Sequence, residues 1–404
     1  MIAPSFRRQA LRDCAALASA ALGLRLAALL ILPRILGSEY PGYYDDGAYV
    51  AMARVWAGFP GEHVVIHPPG YPLFLAPFCL LGSAGLSLAL LAQAALSSAT
   101  VALAYLMAAV LGASRPAACL GGVLCAINPM FVFFSTRFMV ETLFVFLVLA
   151  FFLLWLKAWN DGDARLAAAA GVAGGLSALT RGVILPFGGV LALAALWAGN
   201  RDKRRLSLVG ACGIAWALTM TPWTVRNALH HGRFIPVSMQ GGWNLYEGLT
   251  IDLDEIRRSR PAAMGAEAAA LGLKDPFAVD AHFGRKAAGW IRENPGRFAG
   301  LALRKALRFW RPWPYPPHPA SARALTGIFY VALFSLAIAG LCMGAASHPA
   351  WIFPLAWCAH LTVMHAVFAG NLRYRLPLEP MVAVFAGVGL SRLLSKTGID
   401  MLIK

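Results

Sequence analysis

Long apolar runs alternate with short, mostly basic turns along almost the whole chain. The first runs from about Ala15 to Leu32 and the second from about Leu86 to Leu111, close to the ~20 residues that cross a bilayer as a helix. Further runs follow near Ala117 to Phe134, Glu141 to Trp155, Leu166 to Leu179, Val183 to Trp197 and Leu206 to Thr221. Three more lie near Ala324 to Met343, Trp351 to Phe368 and Leu378 to Leu393. Leu73 to Leu81 is shorter and is expected to lie along the interface. The pattern predicts an all-α polytopic membrane protein with about ten transmembrane helices. From Pro222 to about Ala322 the hydropathy falls and Pro, Gly and charged residues accumulate, as in a soluble or interfacial loop. The chain therefore divides into an N-terminal transmembrane region (1–222), an outer loop (223–322) and a C-terminal transmembrane region (323–404).

Composition agrees with this division. The chain is 59% hydrophobic and 13% charged, too apolar to clothe a soluble domain. Its net charge of +16 falls at the ends of apolar runs and in the long loop. That placement suits phospholipid headgroups and gives no reason to expect nucleic acid as a partner. Arg7, Arg8 and Arg12 precede the first run. Arg115, Lys157, Arg165, Arg201, Lys203, Arg204 and Arg205 fall in alternate later turns, as do Ser347 and His348, and Arg392, Lys396 and Lys404 end the chain. Under the positive-inside rule the N-terminus is cytoplasmic and the loop after the first run lies outside. That first run lacks a small-residue cleavage site and is expected to stay as a span. The cysteines show no metal-type spacing and five sit inside apolar runs (Cys119, Cys125, Cys212, Cys342, Cys358), so no disulfide framework is expected.

The first outer loop, residues 37–72, carries the strongest candidate chemistry. Asp45 and Asp46 open a predicted helix, Asp46 to Trp56. There they either cap free amides or supply a base: at helical spacing Asp45, Tyr49, Met52 and Trp56 share a face, which would aim one carboxylate along the bilayer surface. Such a group can deprotonate an acceptor hydroxyl as it attacks an activated sugar. His67-Pro68-Pro69 forces extended backbone, and His67 either holds the loop's return to the membrane or touches a donor phosphate or acceptor hydroxyl. Arg137 and Glu141 are spaced i,i+4 and would pair on a helix, and Glu141 is also a candidate second acid on the same face.

Arg181, Arg226, Arg373 and Arg375 each stand at an outer membrane boundary. Single boundary arginines snorkel, but several converging would suit a phosphate leaving group. Arg25, inside the first run, must pair within the bundle or reach a water-filled cavity. In the long loop Arg297, Arg304, Arg308 and Arg311 form one helical stripe beside Leu303, Leu307 and Trp310. This suits a phospholipid surface, or a cover over a catalytic groove. Asp45, Asp46, Glu141 and His67 leave a divalent metal open should they converge. The chain shows no nucleotide-binding motif.

The order of these motifs resembles the GT-C membrane glycosyltransferases, in particular the bacterial family 39 type related to protein O-mannosyltransferases and the aminoarabinose lipid A transferase. The residues that carry the resemblance are Asp45-Asp46 with Tyr49 and Ala53-Arg54, then His67-Pro68-Pro69-Gly70-Tyr71-Pro72. They continue with Glu141-Thr142-Leu143-Phe144, Leu179-Thr180-Arg181, Pro222-Trp223 with Arg226-Asn227, Gly241 to Tyr246 (GGWNLY), and Arg373-Tyr374-Arg375-Leu376-Pro377. The resemblance implies an outward-facing cavity, a polyprenyl-phosphate-linked sugar as donor, inversion at the anomeric carbon, and a place in a bacterial inner membrane with the site facing the exterior. It places the base on Asp45, four residues before Tyr49, with Asp46 where such families commonly have Glu. It makes Arg181, Arg226, Arg373 and Arg375 phosphate contacts, Arg373 and Arg375 foremost. The acceptor it implies is a lipid, a polysaccharide or a protein. A transporter or flippase of a lipid-linked sugar is the competing reading, since it too needs a basic cavity and many spans.

Overall fold

The computed structural model describes residues 4–36, 45–61, 66–199, 202–249, 256–314, 320–344 and 348–396. Residues 37–44 and 62–65 of the first outer loop lie outside the described residues, as do Arg201, Ser347 and Lys404. Among the described residues every extended element is helical. The first half of the chain forms α1 (Pro4–Leu36), α2 (Asp46–Trp56), α3 (Gly70–Cys79), α4 (Gly85–Val110), α5 (Arg115–Ala126), α6 (Pro129–Phe134), α7 (Glu141–Asp161), α8 (Ala164–Thr180), α9 (Phe187–Ala198) and α10 (Lys203–His231). The second half forms α11 (Gly241–Glu247), α12 (Ile256–Ala270), α13 (Pro276–Glu293), α14 (Pro295–Phe309), α15 (Ala320–Cys342), α16 (Ile352–Val367) and α17 (Glu379–Lys396).

Among the described residues seven helices are long and apolar enough to cross a membrane, and four shorter apolar helices accompany them. The expected ten is therefore not what helix length gives. One reason is visible at Asn128: its side chain accepts from the amides of Met130 and Phe131 (3.0 and 3.3 Å). With Pro129 at the first helical position, this cap ends one helix and starts another, dividing the run predicted over 117–134. Pro222 is accommodated inside α10, which continues to His231, and α15 already begins at Ala320. The segment between them folds into helices.

Close helix approach is bought with small residues. A Cβ at Gly171 of α8 would run into the Cys212 carbonyl of α10, and one at Gly387 of α17 into the Ala117 carbonyl of α5. In an apolar solvent, where helices gain little from burying more hydrocarbon, such contact is what holds them together. Between these pairs lies an aromatic core: Phe187 meets Trp357 edge-on with centroids 4.9 Å apart, and Phe151 meets Trp216 at 5.6 Å. Arg25 pairs within the bundle, its Nε donating to Ser97 Oγ (2.8 Å) and its Nη1 to the Ala126 carbonyl (2.9 Å). It thereby ties α1 to α4 and α5. At one end of the bundle Asp13 binds Arg115 (2.8 Å) and Arg204 donates to the Asp161 carbonyl (3.1 Å). Asp45 and the other charged candidates gather at the opposite end.

Candidate active site

Glu141 organises that end. It opens α7, where the helix N-terminus favours a carboxylate, and its side chain is fully buried. Arg181 leaves the C-terminus of α8 in extended conformation, which turns its guanidinium back to Glu141 Oε1 at 3.4 Å. Arg373 lies in the 3-10 turn Leu372–Leu378 ahead of α17, and its Nε stands 3.1 Å from the same oxygen. The other edge of Arg373 meets the first outer segment: Nη2 donates to Asp45 Oδ2 at 3.2 Å. Asp45 sits at the N-cap of α2 but makes no capping hydrogen bond with its side chain. The capping role open to it is thus not the one it takes; its carboxylate is aimed at Arg373.

Exposure distinguishes the two acids. The Asp45 side chain is 32% exposed and that of Glu141 0%, so Asp45 is the carboxylate a substrate can reach, while Glu141 anchors two guanidiniums from below. The expected helical pair of Arg137 with Glu141 does not form in that manner, because Arg137 precedes α7 and shares no helical face with it. Arg137 instead lies over the Phe133 ring (4.9 Å).

Aromatic rings enclose the cluster. Tyr49 is buried beneath α2, 5.3 Å from His67 and 5.1 Å from Tyr71, the latter edge-on. Burial is the main force raising the Tyr49 hydroxyl above its ordinary pKa, with Glu141 adding to it, so it remains a neutral hydrogen-bonding group. Burial also lowers the His67 pKa, against the attraction of Asp45, which keeps the ring neutral at neutral pH. The Tyr71 hydroxyl donates to Gln93 Oε1, and Gln93 Nε2 in turn donates to the Arg137 carbonyl (2.6 Å). Tyr374, between the two arginines of the RYR sequence, offers its ring to both Arg181 (4.5 Å) and Arg373 (5.1 Å). Its own position is fixed by a stack on His365 at 4.8 Å. The motif containing Tyr374 was visible in the sequence, but nothing local indicated that its ring would face Arg181.

The remaining candidates are placed differently. Asp46 is buried in the first turn of α2. Arg226 is half-buried between the rings of Trp56 and Trp223 (5.3 and 5.1 Å), beyond the far end of α2 from Asp45. Arg375 is fully buried. Its Nε binds Glu379 Oε1 (3.1 Å), and its Nη1 donates to the carbonyls of Phe309 and Arg311 (3.0 Å each). Glu379 Oε2 also accepts from Tyr330 (2.7 Å) and Asn128 (2.8 Å). This network binds the start of α6, α14, α15 and α17 together, and it commits Arg375 to the bundle rather than to the Asp45 cluster. Neighbouring arginines of one motif thus face opposite ways.

No group of three or more His, Cys, Asp or Glu placed to hold a metal ion occurs among the described residues. Between Asp45 and Glu141 the positive charge is that of Arg373. A separate apolar cavity of about 580 Å³ is lined by α9, α10 and the segment after it, including Leu191, Trp216, Met220, Thr224 and Phe234.

Residues 66–225, less than half of the chain, match the family described as dolichyl-phosphate-mannose-protein mannosyltransferase. No curated protein matches the chain. Among solved structures, the archaeal oligosaccharyltransferase AglB from Archaeoglobus fulgidus, in complex with an inhibitory peptide and a dolichol-phosphate, superposes with a TM-score of 0.62. The two are 17% identical, over 99% of this chain and 52% of AglB. The apo form of that enzyme gives 0.59 at 16% identity, over 98% of this chain and 51% of that one. ArnT from Cupriavidus metallidurans in the apo state gives 0.40 at 19% identity, over 88% and 74%. The chain spans about half the length of AglB. It has the GT-C fold of membrane glycosyltransferases, as its motif order implied.

Proposed function

We propose that the chain is an inverting glycosyltransferase that moves a sugar from a polyprenyl-phosphate-linked donor to an acceptor hydroxyl at the outer face of a bacterial inner membrane. The observation that carries this reading is the meeting of Asp45, from the beginning of the chain, with Arg373, from its end, above the buried Glu141 and beside Arg181. A sugar on a lipid phosphate already has its leaving group. Transfer then needs a base for the acceptor, cations for the departing phosphate and a place for the lipid. The partly exposed Asp45 serves as the base. It takes the acceptor proton as the acceptor oxygen bonds to the anomeric carbon from the face opposite the phosphate. The bond from that carbon to the phosphate oxygen breaks, and the phosphate leaves with the electron pair on the lipid.

Arg373 and Arg181 lie next to Asp45 and stabilise the charge that develops on the phosphate, while their second partner, Glu141, holds them in place. His67 and Tyr49, both neutral, offer hydrogen bonds to sugar or acceptor hydroxyls. The apolar cavity between α9 and α10 suits the hydrocarbon of the donor, and Arg226 follows directly on Val225, one of the residues that line it. Asp46, buried at the start of α2, supports the placement of Asp45. A guanidinium stands between the two acids, and transfer measured with a chelator and with added divalent metal tests whether a metal takes part as well. Dolichol-phosphate and peptide in the AglB complex favour a lipid-linked donor and leave peptide, lipid and polysaccharide acceptors alike to experiment. The test is transfer of labelled sugar from a polyprenyl phosphate by the purified protein, with mass spectrometry of envelope glycans and lipids from cells with and without it. A flippase would move the labelled lipid across vesicles without breaking its bond to the sugar, and would do so equally with Asp45→Asn.

A further inference from the structure

α14 has two faces of different character. On one, Leu301, Lys305 and Phe309 are buried. Lys305 Nζ donates to the carbonyls of Gly248 (2.9 Å), Val367 (2.6 Å) and Phe368 (3.0 Å), and burial brings its amine down to about 8. Val367 and Phe368 are the last turn and cap of α16, a helix of the span-length set. α14 therefore lies at the depth where that span leaves the bilayer. Trp310, which follows directly, confirms the level: its Nε1 donates to Thr362 Oγ1 of α16 (3.1 Å), and its ring packs on Phe334 of α15 (5.6 Å).

The opposite face has no protein partner among the described residues. Leu303 and Leu307 are 63% and 66% exposed, one turn apart, and Arg297 and Arg304 are exposed alongside them. The helix, PGRFAGLALRKALRF, contains no acidic residue, so these charges are not compensated on the helix itself. Rotating the leucines inward would carry Lys305 out and break its three hydrogen bonds. The face is fixed outward, at interfacial depth.

We propose that this face of α14 docks on an anionic phospholipid surface in the leaflet on the Asp45 side. Leu303 and Leu307 enter the boundary between headgroups and acyl chains, as the apolar face of an interfacial helix does. Arg297 and Arg304 reach the headgroup phosphates, their stems lying along the apolar surface. Uncompensated arginines select anionic over zwitterionic headgroups, because each basic residue near such a surface gains about 1 kcal/mol. The proposal stands apart from the catalytic reading, since it needs no turnover. It also gives α14 a second role: Phe309 at its end stacks on His365 (5.3 Å), which stacks on Tyr374 (4.8 Å) below the guanidinium of Arg181. The helix that rests on lipid is thus in ring contact with the candidate site.

The test uses the full chain in nanodiscs of phosphatidylcholine with or without phosphatidylglycerol. Native mass spectrometry of protein released from mixed discs should show phosphatidylglycerol retained over phosphatidylcholine. The double variant Arg297→Gln/Arg304→Gln should lose roughly 30-fold of that preference, the product of the two ~1 kcal/mol contributions. A nitroxide attached to Leu303→Cys, in a background lacking the exposed Cys342, should be relaxed by oxygen and shielded from a water-soluble nickel chelate. Equal retention of the two lipids by the parent protein, or an unchanged preference in the double variant, would overturn the proposal. So would a label that meets the chelate freely, or one shielded only after a polyprenyl phosphate is added, which would make α14 a cover over the donor groove instead.

Discussion

Asp45 Oδ2 and Arg373 Nη2 lie 3.2 Å apart although 328 positions separate them in the chain. α7 packs on the turn before the last helix and Glu141 at its start pairs with Arg373 there, so Arg373 is what links Asp45 of the first outer segment to α7. Neither Asp45 nor Arg373 is needed to close the apolar core, which makes their convergence a feature of the site rather than of packing.

Asp45→Asn keeps the size of the side chain and its ability to accept from Arg373, but it removes the proposed base. Sugar transfer should fall about 10²- to 10⁴-fold, the usual contribution of a positioned general base, while folding and binding of polyprenyl phosphate stay near the parent. Single-turnover transfer, measured beside lipid binding to the same preparation, checks this; an Asn variant as fast as the parent would remove Asp45 from the mechanism.

Glu141 has two guanidinium partners, at 3.1 and 3.4 Å, so losing one should be tolerated better than losing both. The double variant Arg181→Gln/Arg373→Gln leaves a fully buried carboxylate unpaired and should cost about 3–5 kcal/mol of stability. Adding Glu141→Gln to it should recover most of that loss. Unfolding in detergent, followed across the single, double and triple variants, reads the effect directly.

Much of this architecture was legible in the chain. Apolar periodicity marked the spans, and the acid pair, His67, Glu141 and the boundary arginines were all recognisable by being polar where a membrane protein has little reason for it. Side-chain direction was not legible. Arg373 and Arg375 are two residues apart in an extended-looking motif, yet a 3-10 turn sends one to Asp45 and the other into the bundle with Glu379. The i,i+4 spacing of Arg375 and Glu379 was the available signal, and it carried no more weight in the sequence than the Arg137 and Glu141 spacing, which the start of α7 cancels. In the long loop the arginine stripe of α14 was legible, but α11, α12 and α13 were not, because hydropathy alone does not distinguish amphipathic or polar helices from coil.

The opposed directions of the two arginines can be separated experimentally. Arg375→Gln should destabilise the fold by about 3–5 kcal/mol, since Glu379 would remain buried without its cation, yet leave the KM for the lipid donor unchanged in whatever fraction folds. Arg373→Gln should instead weaken transfer by about 10- to 100-fold, the worth of a charge-assisted contact of roughly 1.5–3 kcal/mol. A raised donor KM in Arg375→Gln would show that its guanidinium reaches the phosphate after all.

His67 gives a dependence on pH with a definite sign. Burial lowers its folded-state pKa below the ordinary value of about 6.5, and the unfolded chain therefore binds the proton first as the medium is acidified. Whatever stability the neutral ring contributes is fully present above about pH 6.5 and is lost as the pH falls from there through the depressed folded value. Other groups titrate in the same window, so the informative quantity is the difference between the parent and His67→Phe, which retains the aromatic contact with Tyr49 but cannot be protonated. Melting temperatures measured from neutral pH downward should converge for the two proteins or cross in favour of the variant, with the parent falling more steeply. Parallel curves would mean that His67 is already solvated and protonates in the folded protein as it would in water, and its assignment as a neutral hydrogen-bonding ring beside Asp45 would then be withdrawn.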